Sequence, residues 1–302
     1  MNESGSANIL VAIVVAAYRA AMHDIIIAAA QMTSGIDPGG NLDQIAAAAA
    51  AARSAGAAML FLPEMALLLD RDRQRSAAHI VREDDSRWPA RLAAIAADNA
   101  LWLHAGSAPF LTDDGARRVN RSLVFSPDGD LAARYDKVHM FDVDLPSGES
   151  WRESAAYAGG DRIALADTPA GRLGLTICFD LRFPELFAAL AGAGADVIAV
   201  PAAFTVPTGQ AHWHVLLRAR AIETGCFIVA AAQAGTHADG RATYGHSLII
   251  NPWGEILAEA PAGDSLSRGP TLITARIDLA AVAQARAAIP LARSRAMRTL
   301  KF

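Results

Sequence analysis

Lysine is almost missing from this chain. Of its 27 basic residues only Lys137 and Lys301 are lysines; the rest are arginines. Cysteine is equally scarce. Cys178 and Cys226 are too few for a disulfide framework, which fits a reducing, cytoplasmic setting. A basic excess is missing as well: 31 acidic against 27 basic residues give a net charge of −4, so there is no global basic field to hold a phosphate backbone and nucleic acid is not expected as a partner. Long apolar runs are also lacking. The run 9–17 (ILVAIVVAA) falls well short of the ~20 residues a bilayer span needs. The segment before it, MNESGSAN, carries no positive charge and reads poorly as a signal peptide. No membrane partner is expected. What the chain does have is 302 residues, 53% of them hydrophobic, enough for a substantial core. The preference for arginine and the abundance of alanine look like coding bias. Against that background Lys137 stands out, because arginine does not replace lysine where a compact ammonium is needed.

Residues 1–21 are expected to be an upstream extension outside the fold, and 22–302 to form one domain. Strand-like and helix-like patterns alternate along that domain. Strands are expected at 24–31, 58–62, 101–105, 172–177, 196–200, 226–232 and 271–277. Helices are expected at 41–54 (opened by Asn41), 88–100, 184–191, 210–224 and from 278 onward. Hairpins are expected around the turns 126–129 and 251–254. No linker rich in glycine, proline or serine divides the chain. This alternation predicts one α/β domain with mixed sheets, and two sheets face to face with helices on their outer faces is one arrangement that fits.

Three residues share a context. Glu64 follows an apolar strand, Lys137 follows the strand of a hairpin, and Cys178 ends the strand GRLGLTI. In α/β domains reactive groups gather where strands end and loops begin. A free thiol, with a pKa of about 8.5, is a poor nucleophile at neutral pH. A carboxylate that takes its proton and an ammonium aimed at the developing oxyanion complete an acyl-transfer set. An unpaired cysteine is more commonly just a small buried residue, so spacing alone leaves both readings open.

The local motifs go further. FLPEM (61–65), YDKVHMFD (135–142) and TICFDLRFPEL (176–186) resemble the three signature blocks of the nitrilase superfamily of carbon–nitrogen hydrolases. The similarity continues through 201–223 and 244–254 and covers nearly the whole chain from residue 24. It implies a four-layer αββα sandwich that pairs into an αββα–αββα homodimer. It also implies a Glu–Lys–Cys triad, falling on Glu64, Lys137 and Cys178, with no metal and no organic cofactor. A second acid of the family matches Glu153, 16 residues past the lysine, and would position the substrate or Lys137. The backbone N–H of Phe179 would join Lys137 in holding the oxyanion.

Within the superfamily, the tract 201–254 is most similar to the branch that hydrolyses deaminated glutathione to 2-oxoglutarate and cysteinylglycine. The omega-amidase branch, acting on 2-oxoglutaramate and 2-oxosuccinamate, shares the Ala-His-Trp stretch. Residue 179 is Phe where tyrosine is frequent in the first branch, so any hydrogen bond from that hydroxyl is missing; the acidic loop 142–149 also differs. Both substrates are small amides bearing carboxylates, so the pocket should offer positive charge. Arg182 is one candidate, although pairing with Glu185 to fix the loop is the commoner role. Thr205 and Thr208 are further candidates to contact substrate or simply pack the loop. A nitrilase, an N-carbamoyl hydrolase and a catalytically silent scaffold of the same fold remain as alternatives, the last opposed by three intact triad positions. His212 and His214, two residues apart on a helix, do not share a face as metal ligands would. His139 is expected to orient its loop, and Cys226 to be core.

Overall fold

The computed structural model describes residues 24–144, 148, 150–263 and 269–291; the expected extension, residues 1–21, lies outside them. The first half runs β1 (Ile25–Gln31), α1 (Pro38–Ser54), β2 (Met59–Phe61), α2 (Arg73–Ala77), α3 (Trp88–Asp98), β3 (Trp102–His104), β4 (Ala108–Leu111), β5 (Arg118–Phe125), β6 (Leu131–Asp136), β7 (Asp142–Asp144) and β8 (Ser150–Arg152). The second half runs β9 (Leu165–Thr168), β10 (Gly171–Leu175), α4 (Pro184–Gly192), β11 (Val197–Ala199), α5 (Val206–Thr224), β12 (Phe227–Ala230), β13 (Ala234–Thr236), β14 (Ala242–Tyr244), β15 (Leu248–Ile250), β16 (Ile256–Glu259), β17 (Thr271–Ile277) and α6 (Ala280–Ala288).

Two mixed sheets result. The first has the order β17-β1-β2-β3-β5-β4 with β6 on β5, and the second the order β16-β15-β12-β11-β10-β9. β1, β2 and β3 are parallel, as are β10, β11 and β12, while the flanking strands are antiparallel. Each parallel step is bridged by a segment carrying a helix, as a parallel connection requires.

Side-chain alternation places the layers. Along β1 and β2, Ile25, Ile27, Ala29, Met59 and Phe61 enter the core shared with Leu173, Leu175 and Val197 of the second sheet. The intervening Ala28, Ala30 and Leu60 join Leu42, Ile45 and Ala49 of α1 and Leu92 and Ile95 of α3. A strand turns successive side chains to opposite faces, so the first sheet packs on helices with one face and on the second sheet with the other. The strands VIA and FIVA of the second sheet are buried throughout, with Phe187, Leu190, Trp213 and Leu217 of α4 and α5 in the same core. The layers are therefore α, β, β, α. Each fully buried Leu, Ile or Phe contributes about 1.5–3 kcal/mol to holding them together.

Several boundaries differ from expectation. Helix α1 opens at Pro38, not Asn41: Asp37 caps it by accepting from Gly39 N and Gly40 N at 3.0 and 3.1 Å. Asn41 is buried and instead bridges Gly35 and Leu67. Helix α5 begins four residues early, at Val206, because Pro207 is tolerated in a first turn and Gly209 is there for packing. A Cβ on Gly209 would lie 2.2 Å from the Tyr244 ring. Strand β10 stops at Leu175, short of Cys178. The edge strand β4 lies outside the expected set because Pro109 sits inside it. Among the described residues no helix is long and apolar enough to cross a membrane.

Candidate active site

Glu64 leaves the end of β2 through Leu62-Pro63. That turn is pressed against Gly106, whose φ is +66°; a Cβ there would lie 1.9 Å from the Pro63 carbonyl oxygen, so only glycine fits. Lys137 follows β6, its backbone N–H bound to the Asn120 carbonyl at 2.9 Å. Cys178 opens a tight turn, Cys178–Arg182, with φ at +49°, a conformation that costs a non-glycine residue of order 1–3 kcal/mol. Its N–H is held by the Pro201 carbonyl at 2.9 Å. Asp180 fastens this turn to the neighbouring loop. Its carboxylate accepts from Ile177 N (2.9 Å), the Tyr135 hydroxyl (2.7 Å) and His139 N (3.0 Å), and lies 2.7 Å from His139 Nδ1. His139 also stacks on Phe183 at 3.5 Å between ring centres. Glu64 and Lys137 thus come from the first sheet and Cys178 from the second, on one rim.

The side chains meet in a buried space. Lys137 Nζ lies 3.0 Å from Glu64 Oε1 and 3.1 and 2.8 Å from the two oxygens of Glu153. Asn120 Nδ2 donates to Glu64 Oε1 at 2.9 Å, and Ala203 N donates to Glu64 Oε2 at 3.0 Å. Phe141 N donates to Glu153 Oε2 at 2.7 Å, fixing that carboxylate too. Burial works to discharge Lys137, but Glu153 and Glu64 outweigh it and hold the ammonium well above the usual lysine range. Burial first, and then the Glu64 carboxylate, raise Cys178 well above an ordinary thiol; Lys137 only partly offsets them. The resting set is therefore a thiol, an ammonium and carboxylates. Such an arrangement is suited to passing a proton from sulfur to Glu64 during an attack rather than to storing a thiolate.

These groups line a cavity of about 630 Å³, and all eight residues singled out from sequence border it. Besides Glu64, Lys137, Cys178 and Glu153 these are Phe179, Arg182, Thr205 and Thr208. The expected pairing of Arg182 with Glu185 does not occur. Glu185 is exposed in the first turn of α4, whereas Arg182 turns inward, with its guanidinium 5.7 and 5.5 Å from the ring centres of Phe179 and Phe204 and Nη1 3.3 Å from His212 Nδ1. Burial lowers its pKa below the ordinary arginine range. Thr205 and Thr208 bind each other through their hydroxyls at 2.8 Å. His212 and His214 diverge: His214 Nε2 and His246 Nδ1 lie 3.0 and 2.7 Å from one oxygen of Glu259, outside the cavity. Their ligand-type atoms lie within 4.8 Å of one another. Cys226 is fully buried, as expected of core.

Sequence reasoning misses other residues at the cavity. Asn120 is hidden inside the strand RVNRSLVF, where its only signal is an alternation of polar positions. Asn120 reaches the site through Glu64 and does not itself border the cavity, whereas Arg118, Trp151, Tyr157 and Arg241 do, brought there by β5, β8, the loop after it and the β13–β14 hairpin.

Comparison with known proteins decides the family. Residues 26–287 match the carbon–nitrogen hydrolase family. The chain belongs to that family. A deaminated glutathione amidase from Yersinia enterocolitica is 42% identical over 237 residues, covering 78% of this chain and 82% of that protein. The C. elegans NitFhit protein superposes with a TM-score of 0.82 at 34% identity, over 92% of this chain and 67% of that one. A variant of an amidase from Nesterenkonia sp. AN1 has a TM-score of 0.72 at 28% identity, over 90% of this chain and 97% of that one; it shows covalent addition of the acetamide moiety of fluoroacetamide at its active site cysteine. As a carbon–nitrogen hydrolase of the amidase kind, the present enzyme acts on a small-molecule amide.

Proposed function

We propose that this amidase hydrolyses deaminated glutathione to 2-oxoglutarate and cysteinylglycine through a thioester on Cys178. The observation that carries the reading is the buried Cys178 thiol on the same cavity as Glu64 and Lys137, with the Lys137 ammonium 3.0 Å from Glu64 Oε1 and arginines along the cavity's edge. Glu64 accepts the thiol proton while sulfur bonds to the amide carbon. The ammonium of Lys137 and the N–H of Phe179 hold the oxyanion, a donor of this kind being worth about 2.7–4 kcal/mol of barrier. Glu64 returns the proton to the amide nitrogen, the C–N bond breaks and cysteinylglycine leaves. Glu64 then takes a proton from water, the hydroxide attacks the thioester, and 2-oxoglutarate departs as the proton returns to sulfur. Glu153 is a positioning residue that keeps Lys137 charged and aimed. Arg182, beside the nucleophile and without a carboxylate partner among the described residues, receives the carboxylate of the acyl group. Thr205 and Thr208 border that end.

The substrate reading is supported by the named relatives and by a cavity large enough for a tripeptide analogue. It is tested by measuring kcat/KM for deaminated glutathione and for 2-oxoglutaramate side by side, with Cys178→Ala as the blank. A ratio strongly favouring deaminated glutathione is expected. The opposite ratio would move the enzyme to omega-amidase activity with the same mechanism.

We also read residues 22–302 as one domain working in the cytoplasm as a homodimer. Support for a second copy comes from large apolar side chains exposed on α5 and the β15–β16 hairpin, among them Val215, Ile222, Trp253 and Leu257. Support for a reducing compartment comes from two free, buried thiols.

A further inference from the structure

Arginines of this protein are commonly answered by a carboxylate. Arg121 is paired with Asp136 and Glu83, Arg75 with Asp70, Arg152 with Asp144 and Arg241 with Asp239. Arg118 is different. It lies on the same strand as Arg121 but borders the cavity, and its guanidinium donates to neutral oxygens, Ser76 Oγ at 3.3 Å and the Arg73 carbonyl at 2.9 Å. A guanidinium has five N–H donors, so donors remain, and among the described residues no carboxylate neutralises it. In the wall of the same cavity, the indole N–H of Trp151 is buried without a partner. A buried donor that finds no acceptor costs free energy unless a ligand supplies one.

The spacing suits a particular ligand. Arg118 and Asn120 stand two residues apart on β5, hence on one face and roughly 6.8 Å apart along the strand. Asn120 holds Glu64, so it marks the reacting centre. Two extended residues span at most about 7 Å, which is the reach of the Cys-Gly portion from the scissile bond to its terminal carboxylate. Arg182 comes from the opposite sheet and serves the acyl end.

We propose that Arg118, with the Trp151 indole N–H, forms a second anion subsite that takes the terminal carboxylate of the leaving dipeptide. The cavity then selects amides carrying a carboxylate on each side of the scissile bond. This inference rests on deaminated glutathione being the substrate, and adds the element that separates a dipeptide leaving group from ammonia.

The test compares the wild type with Arg118→Met and Arg118→Lys on three amides: deaminated glutathione, its C-terminal glycinamide, and 2-oxoglutaramate. For Arg118→Met, kcat/KM for deaminated glutathione is expected to fall roughly 10- to 100-fold, mainly through KM, the scale of losing a hydrogen-bonded charge. Activity on 2-oxoglutaramate should stay within about 2-fold. The glycinamide should be as poor for the wild type as deaminated glutathione is for Arg118→Met, and the two changes together should not add, since each removes the same contact. Arg118→Lys should restore part of the loss. Because each variant is judged by ratios between substrates, partial unfolding does not disguise the outcome. An equal loss on all three amides would make Arg118 a structural residue and overturn the subsite. So would unchanged selectivity in a variant of an enzyme that does hydrolyse deaminated glutathione. A wild type active on 2-oxoglutaramate alone would instead overturn the substrate reading, and the subsite with it.

Discussion

The ammonium of Lys137 lies 3.0 Å from Oε1 of Glu64, and the two side chains are only 2% and 7% exposed. A buried ion pair of this kind tolerates little change, because removing one partner strands the other charge without water. Lys137→Arg keeps the charge but replaces a compact point donor with a planar fork that the space between Glu64 and Glu153 does not fit. We expect kcat to fall by at least about 10²-fold, the loss of one oxyanion donor, as steady-state assays would report. Lys137→Met should also lower unfolding stability by roughly 3–5 kcal/mol, measurable by urea denaturation. Near wild-type turnover in Lys137→Arg would show that a compact ammonium is not required.

Asn120 shares Glu64 Oε1 with Lys137, leaving Oε2, held by Ala203 N, to face the proton transfer. Asn120→Asp preserves the shape but sets a second carboxylate against Glu64. The like charges should favour a protonated Glu64 and move the acid limb of the kcat/KM profile to higher pH. An acid limb at its wild-type position, with only a uniform drop in rate, would indicate that Asn120 does no more than fill space.

The thiol of Cys178 is raised by burial and by Glu64, and lowered by Lys137. Thiolate absorbance in the ultraviolet should therefore be missing from the free enzyme near neutral pH. Glu64→Gln removes one raising influence and leaves the lowering one. At a fixed pH, alkylation of Cys178 by iodoacetamide should accelerate in that variant while amide hydrolysis stops. Alkylation falling as far as hydrolysis would mean that Glu64 acts on the sulfur chiefly as the base that takes its proton, and would contradict a reactivity governed by the raised thiol.

Next to the site, burial pushes His104 down to about 3 from an ordinary 6.5. Its Nδ1 accepts from Gly106 N at 3.3 Å and its Nε2 meets Ser122 Oγ at 3.0 Å, both satisfied by a neutral ring. Above an ordinary histidine pKa, neither folded nor unfolded chain binds the proton, and the stabilisation is complete. As the pH falls from 6.5 toward 3, the unfolded chain takes a proton that the folded one refuses, and stability drops by up to about 1.4 kcal/mol per unit. His104→Gln should flatten that slope between pH values of about 6.5 and 4. Urea unfolding at each pH measures it, and an unchanged slope would remove His104 as its source.

Much of this architecture is legible in the chain, for physical reasons. β17 can be read to its last residue because its pattern is apolar and its ends are abrupt. The candidate triad of Glu64, Lys137 and Cys178 is legible because each member lies just past a strand and sits in a recognisable block. Where expectation and structure part, tertiary contact overrides local signal. Gly209 and Pro207 look like helix breakers until the Tyr244 ring occupies the space beside Gly209. Arg182 has a carboxylate three residues away at Glu185, yet turns toward the rings of Phe179 and Phe204 because α4 carries Glu185 out to solvent. Arg118 and Asn120 read as ordinary strand residues, since the cavity beside Arg118 and the Glu64 carboxylate beside Asn120 are brought there by segments distant in the chain.

The most direct measurement is rapid acid quenching of the enzyme during turnover of deaminated glutathione, followed by peptide mass spectrometry. The account predicts a 2-oxoglutaryl group on the peptide containing Cys178, formed in the wild type and missing from Cys178→Ala, which should fold normally and release no product. Product release by Cys178→Ala, or an acyl group on any other residue, would contradict it.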